Sequence, residues 1–243
     1  MEAYLRETDR LEFYSDGVFA IAATLLCVDL RVPRPHDLAG MTLLDALAQR
    51  WPSFVAFFAS FFFIGIAWAA HHDMFHYIRH TNHILLMINL IFLVSIALQP
   101  FSTALMAEYF GKPHEHTAAF IYYGVLLLAG LSYNAIWFYA SRSSLIERRL
   151  DDRLRRALTR EYAIVPLLFA AAMVTSLWSV RWSFIPVLTL YVFFALPRVT
   201  ERVYRRNHSH RTTAQNATQS GARMTGCKPR PSPGRDGNLR GLI

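Results

Sequence analysis

The sequence predicts an all-α polytopic membrane protein with six transmembrane helices and both termini in the cytoplasm. The chain of 243 residues is 53% hydrophobic, and its apolar residues are concentrated in long runs. Six such runs approach or reach the roughly 20 residues that a helix needs to cross a bilayer. Helices are expected because a backbone that faces lipid must satisfy its own hydrogen bonds. The six predicted spans are residues 11–30, 54–68, 84–98, 120–137, 162–178 and 182–196.

The orientation follows from the distribution of the basic residues. The formal net charge of +8 would suggest a nucleic-acid partner for a soluble protein, but membrane topology explains it better. If both termini are cytoplasmic, most of the Lys and Arg residues lie inside, as the positive-inside rule requires. The residues left outside are Arg31, Arg34, Arg50, Lys112 and Arg181. We therefore expect a multi-pass protein of the cytoplasmic (inner) membrane, embedded in the lipid bilayer, with no nucleic-acid partner.

The N-terminal segment argues against a cleaved signal peptide, and the cysteines argue against a disulfide-stabilised or CxxC metal-binding protein. The first residues are acidic rather than basic and no small-residue cleavage site follows, so we expect an uncleaved first span. Cys27 lies in the first span and Cys227 in the tail, which predicts neither a disulfide nor a CxxC metal motif.

The first span has polar residues at both ends and an apolar middle. Charged groups beside a span are energetically costly and usually mark function. At about 100° per residue the helix separates into two faces. Ser15 and Asp16 point towards neighbouring helices. The opposite stripe comprises Gly17, Ile21, Leu25 and Val28, with Thr24 at its border.

This stripe has two interpretations. In a symmetric bundle, copies of Ile21, Leu25 and Val28 would form stacked apolar rings around an axis, with the Thr24 hydroxyl beside them. Such rings control ion passage by narrowness and dewetting, and Asp29 at the outer mouth would concentrate cations. Alternatively, the same residues are ordinary packing positions, because most apolar stripes belong to a core. Periodicity alone does not decide between the two.

A histidine cluster follows the second span. His72, His76 and His80 recur at i, i+4 and i+8, and together with His71 and Asp73 they could bind a metal or relay protons. The alternative is a structural network with the polar residues that begin the first span. The HExxH motif is absent, as are a nucleophile triad and a phosphate-binding loop. We therefore expect no enzymatic activity, no cofactor and no resident metal.

The remaining segments complete the predicted domain organisation. Residues 1–206 are expected to form the six-helix transmembrane domain. The charged linker 141–161 carries leucines at helical spacing, which predicts an amphipathic helix at the inner leaflet or else a solvated connector. Residues 207–243 are rich in Ser, Thr, Gly, Pro and Arg, which predicts a disordered basic cytoplasmic tail.

The first half of the chain carries a distinctive local motif, Arg10-x-x-x-Tyr14-Ser15-Asp16 followed by Gly-Val-Phe-Ala-Ile-Ala-Ala-Thr-Leu-Leu. This motif resembles the RxxxFSD motif of the transmembrane protein 175 family of potassium channels. The likeness continues in Trp68-x-x-His71-His72 and in Pro100-Phe-Ser-Thr103. One departure is Tyr14 at the motif phenylalanine, which adds a hydroxyl that needs a partner. No TVGYG potassium filter is present in the sequence.

The resemblance implies a potassium-permeable cation channel built as a homotetramer of six-helix subunits. It implies that the first helix lines the pore, with the constriction at Ile21, Leu25 and Val28 and the hydroxyl of Thr24 beside it. It also implies a motif network that holds this helix against its neighbours, made of Arg10, Tyr14, Ser15, Asp16, Trp68 and His72. Two other functions stay open from the residues: a proton- or metal-coupled transporter that uses the histidine cluster, and a non-conducting scaffold that acts through its basic linker and tail.

Overall fold

The computed structural model describes residues 8–38, 40–143, 145–146 and 152–195, and these residues form helices joined by short connections. The described part of the chain belongs to one compact unit, Met1–Leu196. After α1, a single 3₁₀ turn at Pro35–Asp37 precedes α2. The helices are α1 Asp9–Val28, α2 Leu43–Gln49, α3 Trp51–Tyr77, α4 His83–Ala97, α5 Gln99–Tyr109, α6 Glu115–Arg142, α7 Asp152–Ser176 and α8 Val180–Ala195.

Five helical segments are long and apolar enough to cross a membrane. They are α1, α3, the α4–α5 pair (His83–Tyr109), α6 and α7. The all-helical architecture with several apolar spans is therefore confirmed for the described residues. The sixth predicted span coincides with α8, whose apolar part Val180–Leu190 is shorter than the others.

Two helix ends differ from the sequence prediction. The third span does not end near Gln99; it breaks there and continues as α5 to Tyr109. Pro100 explains the break, because proline has no N–H to bond to the carbonyl four residues earlier. Helix α3 ends at Tyr77, so His80 lies beyond the helix and does not share a helical face with His72 and His76. The predicted i, i+4, i+8 row is therefore wrong at its third member.

Helix α6 lies at the centre of the packing and contacts α4, α5, α7 and α8. Its buried face carries large aromatic side chains, including Tyr123 and Trp137. At Gly130 the backbone of α7 comes so close that a Cβ would lie 3.3 Å from Pro166 Cα. Small residues at such a crossing let membrane helices pack tightly. The Trp137 indole N–H donates to Thr159 Oγ1 at 2.9 Å, which also joins α6 to α7.

The charged linker is not a separate helix where the structure describes it. Helix α6 extends to Arg142 and α7 begins at Asp152, so the second half of the linker forms the first turns of α7. Leu158 on these turns is buried, and Arg155 forms a 3.0 Å salt bridge with Asp152. Residues 144 and 147–151 of the linker and the predicted disordered tail 207–243 lie outside the described residues.

Candidate functional site

Helix α1 is buried on one face. It packs against α3, α4 and α5, which cover a stripe at spacings of three and four residues. The buried residues of α1 are Leu11, Ser15, Phe19, Ala22 and Leu26. This spacing is the one expected for a helix with a single packed side.

The opposite face of α1 is open in the subunit. Ile21 is 61% exposed, Leu25 46% and Val28 74%. Gly17 and Asp29 are exposed as well. The apolar stripe seen in the sequence is therefore not part of the core formed by the described residues, and packing among those residues does not account for it.

Thr24 interrupts this apolar face with a hydroxyl group. Its Oγ1 donates back to its own helix, at 2.9 Å from Ile21 O and 3.0 Å from Ala20 O. A hydroxyl has one hydrogen and two acceptor lone pairs. Because the hydrogen is used by the helix, the oxygen can present its lone pairs to a cation or to water on the exposed side.

A buried chain of hydrogen bonds ties the start of α1 to α3 and α4. Asn89 Nδ2 donates to Ser15 Oγ at 3.1 Å, and Ser15 Oγ donates to Leu11 O at 2.8 Å. On its other side, Asn89 Oδ1 lies 2.9 Å from His71 Nε2, so His71 donates from Nε2–H in this arrangement. Ser15, Asn89 and His71 are all buried, and buried polar groups cost free energy unless they are paired. These hydrogen bonds therefore fix the rotation of α1 about its axis relative to α3 and α4.

A second hydrogen bond joins α1 to α3. The Trp68 indole N–H donates to Asp16 Oδ1 at 2.8 Å. The Trp68 ring stacks on His72, with ring centroids 6.2 Å apart, and His72 contacts His76 at 5.2 Å. His72 thus lies beside the Asp16–Trp68 pair through its ring stacking.

The other two motif residues lie apart from these contacts. Arg10 and Tyr14 are both exposed, and Tyr14 is 59% exposed. Asn89, in contrast, is central to the buried chain, and sequence reasoning did not select it. A signal was available, because Asn89 is a buried polar residue inside the strongly apolar run of α4 and polar groups at membrane depth find partners.

The histidines do not form a metal site in the described part of the chain. No group of three or more His, Cys, Asp or Glu residues there has a geometry that could hold an ion. His71, which the transporter hypothesis uses, is buried between Phe75 and Phe92 and bonded to Asn89. This arrangement favours a structural role for His71.

A further polar cluster fixes α5 after the helix break. Thr103 Oγ1 lies 2.7 Å from Ser60 Oγ, and Ser60 Oγ lies 3.3 Å from the Tyr122 hydroxyl. These bonds connect α5 to α3 and α6 at the level of the Pro100-Phe-Ser-Thr103 motif. Gln99 is fully buried beside this motif, and its side chain has no hydrogen-bond partner among the described residues.

These features define a polytopic helical membrane protein in which buried polar contacts set the first helix and leave its other face open. The sequence model described as the endosomal/lysosomal potassium channel TMEM175 matches residues 10–100. A protein of Chamaesiphon minutus named a potassium channel is 36% identical over 191 residues, which cover 78% of this chain and 94% of that protein. The chain belongs to the TMEM175 family, and the resemblance noted in the sequence is confirmed.

Two further comparisons agree. A protein of Streptomyces collinus, also named a potassium channel, is 38% identical over 162 residues, covering 66% of this chain and 78% of that protein. The crystal structure of a Chamaesiphon minutus TMEM175 homologue, titled a lysosomal potassium-selective channel, superposes with a TM-score of 0.71 at 35% identity. It covers 78% of this chain and 97% of that one. The protein is accordingly a multi-pass membrane protein of a channel family.

Proposed function

We propose that this protein is a potassium-permeable cation channel of the cytoplasmic membrane, assembled as a homotetramer and without chemical catalysis. The single observation that carries the proposal is the open face of α1, where Ile21 and Val28 are 61% and 74% exposed although the opposite face is fully packed. The relatives from Chamaesiphon minutus and Streptomyces collinus are named potassium channels, which supports the choice of ion.

The open face has the chemistry of a pore lining. Four copies of Ile21, Leu25 and Val28 around an axis would form three apolar constrictions, and apolar rings limit ion flow by dewetting. Thr24 would place four hydroxyl oxygens between the rings, each with its hydrogen already donated to the helix. Asp29, exposed at the end of the helix, would raise the local cation concentration at the outer mouth.

The motif network would determine which face of α1 meets the axis. Ser15 and Asp16 are bonded to Asn89 and Trp68, so the helix cannot rotate without breaking both contacts. Ile21 then lies on the side away from α3 and α4. In the proposal, His72 stacks on Trp68 and so supports the orientation of α1 that the Asp16–Trp68 bond fixes. Arg10 and Tyr14, exposed in the single subunit, are available for contacts with neighbouring subunits or lipid headgroups.

The proposal includes the membrane topology predicted from the basic residues. Residues 1–206 form the channel domain with α8 as the sixth span, and both termini lie in the cytoplasm with the basic tail 207–243. Support comes from α8, which follows α7 after a short turn and packs against it.

The test is a flux assay with the purified full chain in potassium-loaded liposomes. We expect a potassium efflux that a proton ionophore supports by charge compensation, with no requirement for zinc. Liposomes that stay tight with correctly folded protein would contradict the proposal. A transport activity that depends on His72 and His76 but tolerates changes at Ile21 would instead identify a coupled transporter.

A further inference from the structure

An apolar groove of about 850 Å³ lies on the subunit, and no described residue of α1 lines it. It is bounded by α3, α5, α6 and α8, and its α3 wall runs from Trp51 to Ile66. The groove opens outwards, because several wall residues are about half exposed or more. Those wall residues are Trp51, Val55, Phe58, Phe62 and Leu188.

The groove has the length of one bilayer leaflet. The α3 wall spans 15 residue steps, or about 22 Å at 1.5 Å per residue. Half of a typical hydrocarbon core is about 15 Å, and the interfacial region adds several ångströms on each side. A ligand that fills the groove is therefore extended and apolar, and it crosses one leaflet from the headgroup region to the middle of the membrane.

The membrane-surface end of the groove is marked by Arg181 and by tryptophans. Trp51, which lines the groove, and Trp182, which follows Arg181 in the chain, are 53% and 68% exposed, as expected for side chains at a membrane interface. Arg181 carries the one formal charge among the described residues that line the groove. It is exposed, and neither an ion pair nor a hydrogen bond is found for its guanidinium within the described part of the chain. Its charge is thus available to an anionic group.

We propose that this groove binds one glycerophospholipid per subunit, with an acyl chain along α3 and the phosphate at Arg181. Charge complementarity selects the occupant: a phosphodiester satisfies the arginine, and a hydrocarbon chain fills the apolar remainder. Guanidinium groups bind phosphate through paired N–H donors. The inference does not depend on ion conduction, because no described residue of α1, the proposed pore helix, lines the groove.

The experiment measures lipid retention by native mass spectrometry on the full-length protein in detergent, titrated with dioleoylphosphatidylglycerol or with dioleoylglycerol. We expect one phosphatidylglycerol per protomer. Ala107→Trp, which fills the groove, should lower the bound fraction about tenfold. Arg181→Gln should lower it about fivefold, the effect of one basic residue at a membrane surface. The milder Ala107→Phe serves if the tryptophan variant does not fold.

The controls are matched by chemistry and exposure. Leu131→Trp adds an indole to an exposed apolar position of α6 outside the groove, and Arg160→Gln removes an exposed arginine on α7; both should retain the lipid as the wild type does. Equal retention of dioleoylglycerol, or full retention by both groove variants, would overturn the proposal. So would a wild-type protein that retains no lipid and changes its oligomeric mass on Ala107→Trp, since a second copy of the chain would then occupy the groove.

Discussion

Asp16 and Trp68 are 52 residues apart in the chain and are joined by a 2.8 Å hydrogen bond from the indole N–H to the carboxylate. The bond links α1 to α3 one residue after Ser15 makes its own contact with α4 through Asn89. Two adjacent residues of α1 thus bond to two different helices. This pair of contacts explains how a short local motif can set the orientation of a whole span.

The Asp16–Trp68 bond should be measurable as a coupling energy. Trp68→Phe and Asp16→Ala should each lower the free energy of unfolding by about 1 kcal/mol, because a hydrogen bond to a charged group is lost at a partly exposed site. The double variant should lose less than the sum of the single losses. Denaturant unfolding in detergent, followed by far-UV circular dichroism, gives the unfolding free energies that this double-mutant cycle compares. Strict additivity would show that the bond contributes nothing.

The buried chain through Asn89 should matter more for stability. Asn89→Leu keeps the approximate volume but leaves the buried His71 N–H without its acceptor and removes the N–H that donates to the Ser15 oxygen. The expected loss is about 1–3 kcal/mol of unfolding free energy. Thr189→Ala is the control, because Thr189 is exposed and, among the described residues, its hydroxyl bonds to its own helix at Ile185 O. If the Asn89→Leu protein were as stable as the control, the hydrogen bonds of Asn89 to Ser15 and His71 would not stabilise the packing of α1 against α3 and α4.

If Ile21 forms a constriction of the pore, a smaller side chain at this position should increase potassium conduction. Ile21→Ala should raise potassium flux about tenfold or more, because a wider and less apolar ring is easier to hydrate. Ile185→Ala is the matched control: Ile185 is 50% exposed on α8, and its truncation should leave flux unchanged. The measurement is fluorescence-detected efflux from liposomes at equal protein density. Equal flux in the wild type and Ile21→Ala would exclude this residue from the constriction.

Thr24 allows a test of the pore hydroxyl at constant shape. Thr24→Val removes the oxygen and keeps the volume, so the ratio of potassium to sodium flux should fall, whereas Thr24→Ser keeps the oxygen and should preserve the ratio. Flux measurements in liposomes under bi-ionic conditions determine the ratio of potassium to sodium flux. A selectivity ratio that Thr24→Val leaves intact would place ion discrimination elsewhere.

The α6–α7 crossing predicts a difference between two glycines of the same helix. Gly130→Leu should lower the free energy of unfolding by about 1–3 kcal/mol, since even a Cβ there meets Pro166 Cα at 3.3 Å and Phe169 at 3.4 Å. Gly124→Leu should be nearly neutral, because no atom of the described residues outside its own stretch of helix lies within 4 Å of its added Cβ. Thermal unfolding of the two variants in one detergent compares them directly. Equal losses would mean that the close crossing does not determine the effect.

Much of the fold and part of the site could be predicted from the chain alone. The apolar runs located the five helical segments that are long and apolar enough to cross a membrane, because lipid imposes length and polarity on each segment independently of the others. The two faces of α1 were also predictable, since 3.6-residue periodicity is local information. The two errors arose at helix ends: the third span continues past Pro100 to Tyr109, and α3 ends at Tyr77 before His80. Helix ends are decided by caps and packing, which periodicity does not report.

By itself, the sequence determined the helical class, the approximate positions of the long apolar helices and the family, because each depends on composition or on a motif read along one segment. The tertiary structure decided which polar residues meet. Ser15 and Asn89 are 74 residues apart, and their pairing exists only because α1, α3 and α4 pack side by side. It also decided that His71 is a buried partner of Asn89 whereas His72 stays exposed beside Trp68. Adjacent histidines face different surroundings on a packed helix, and only the neighbouring helices determine which one is buried.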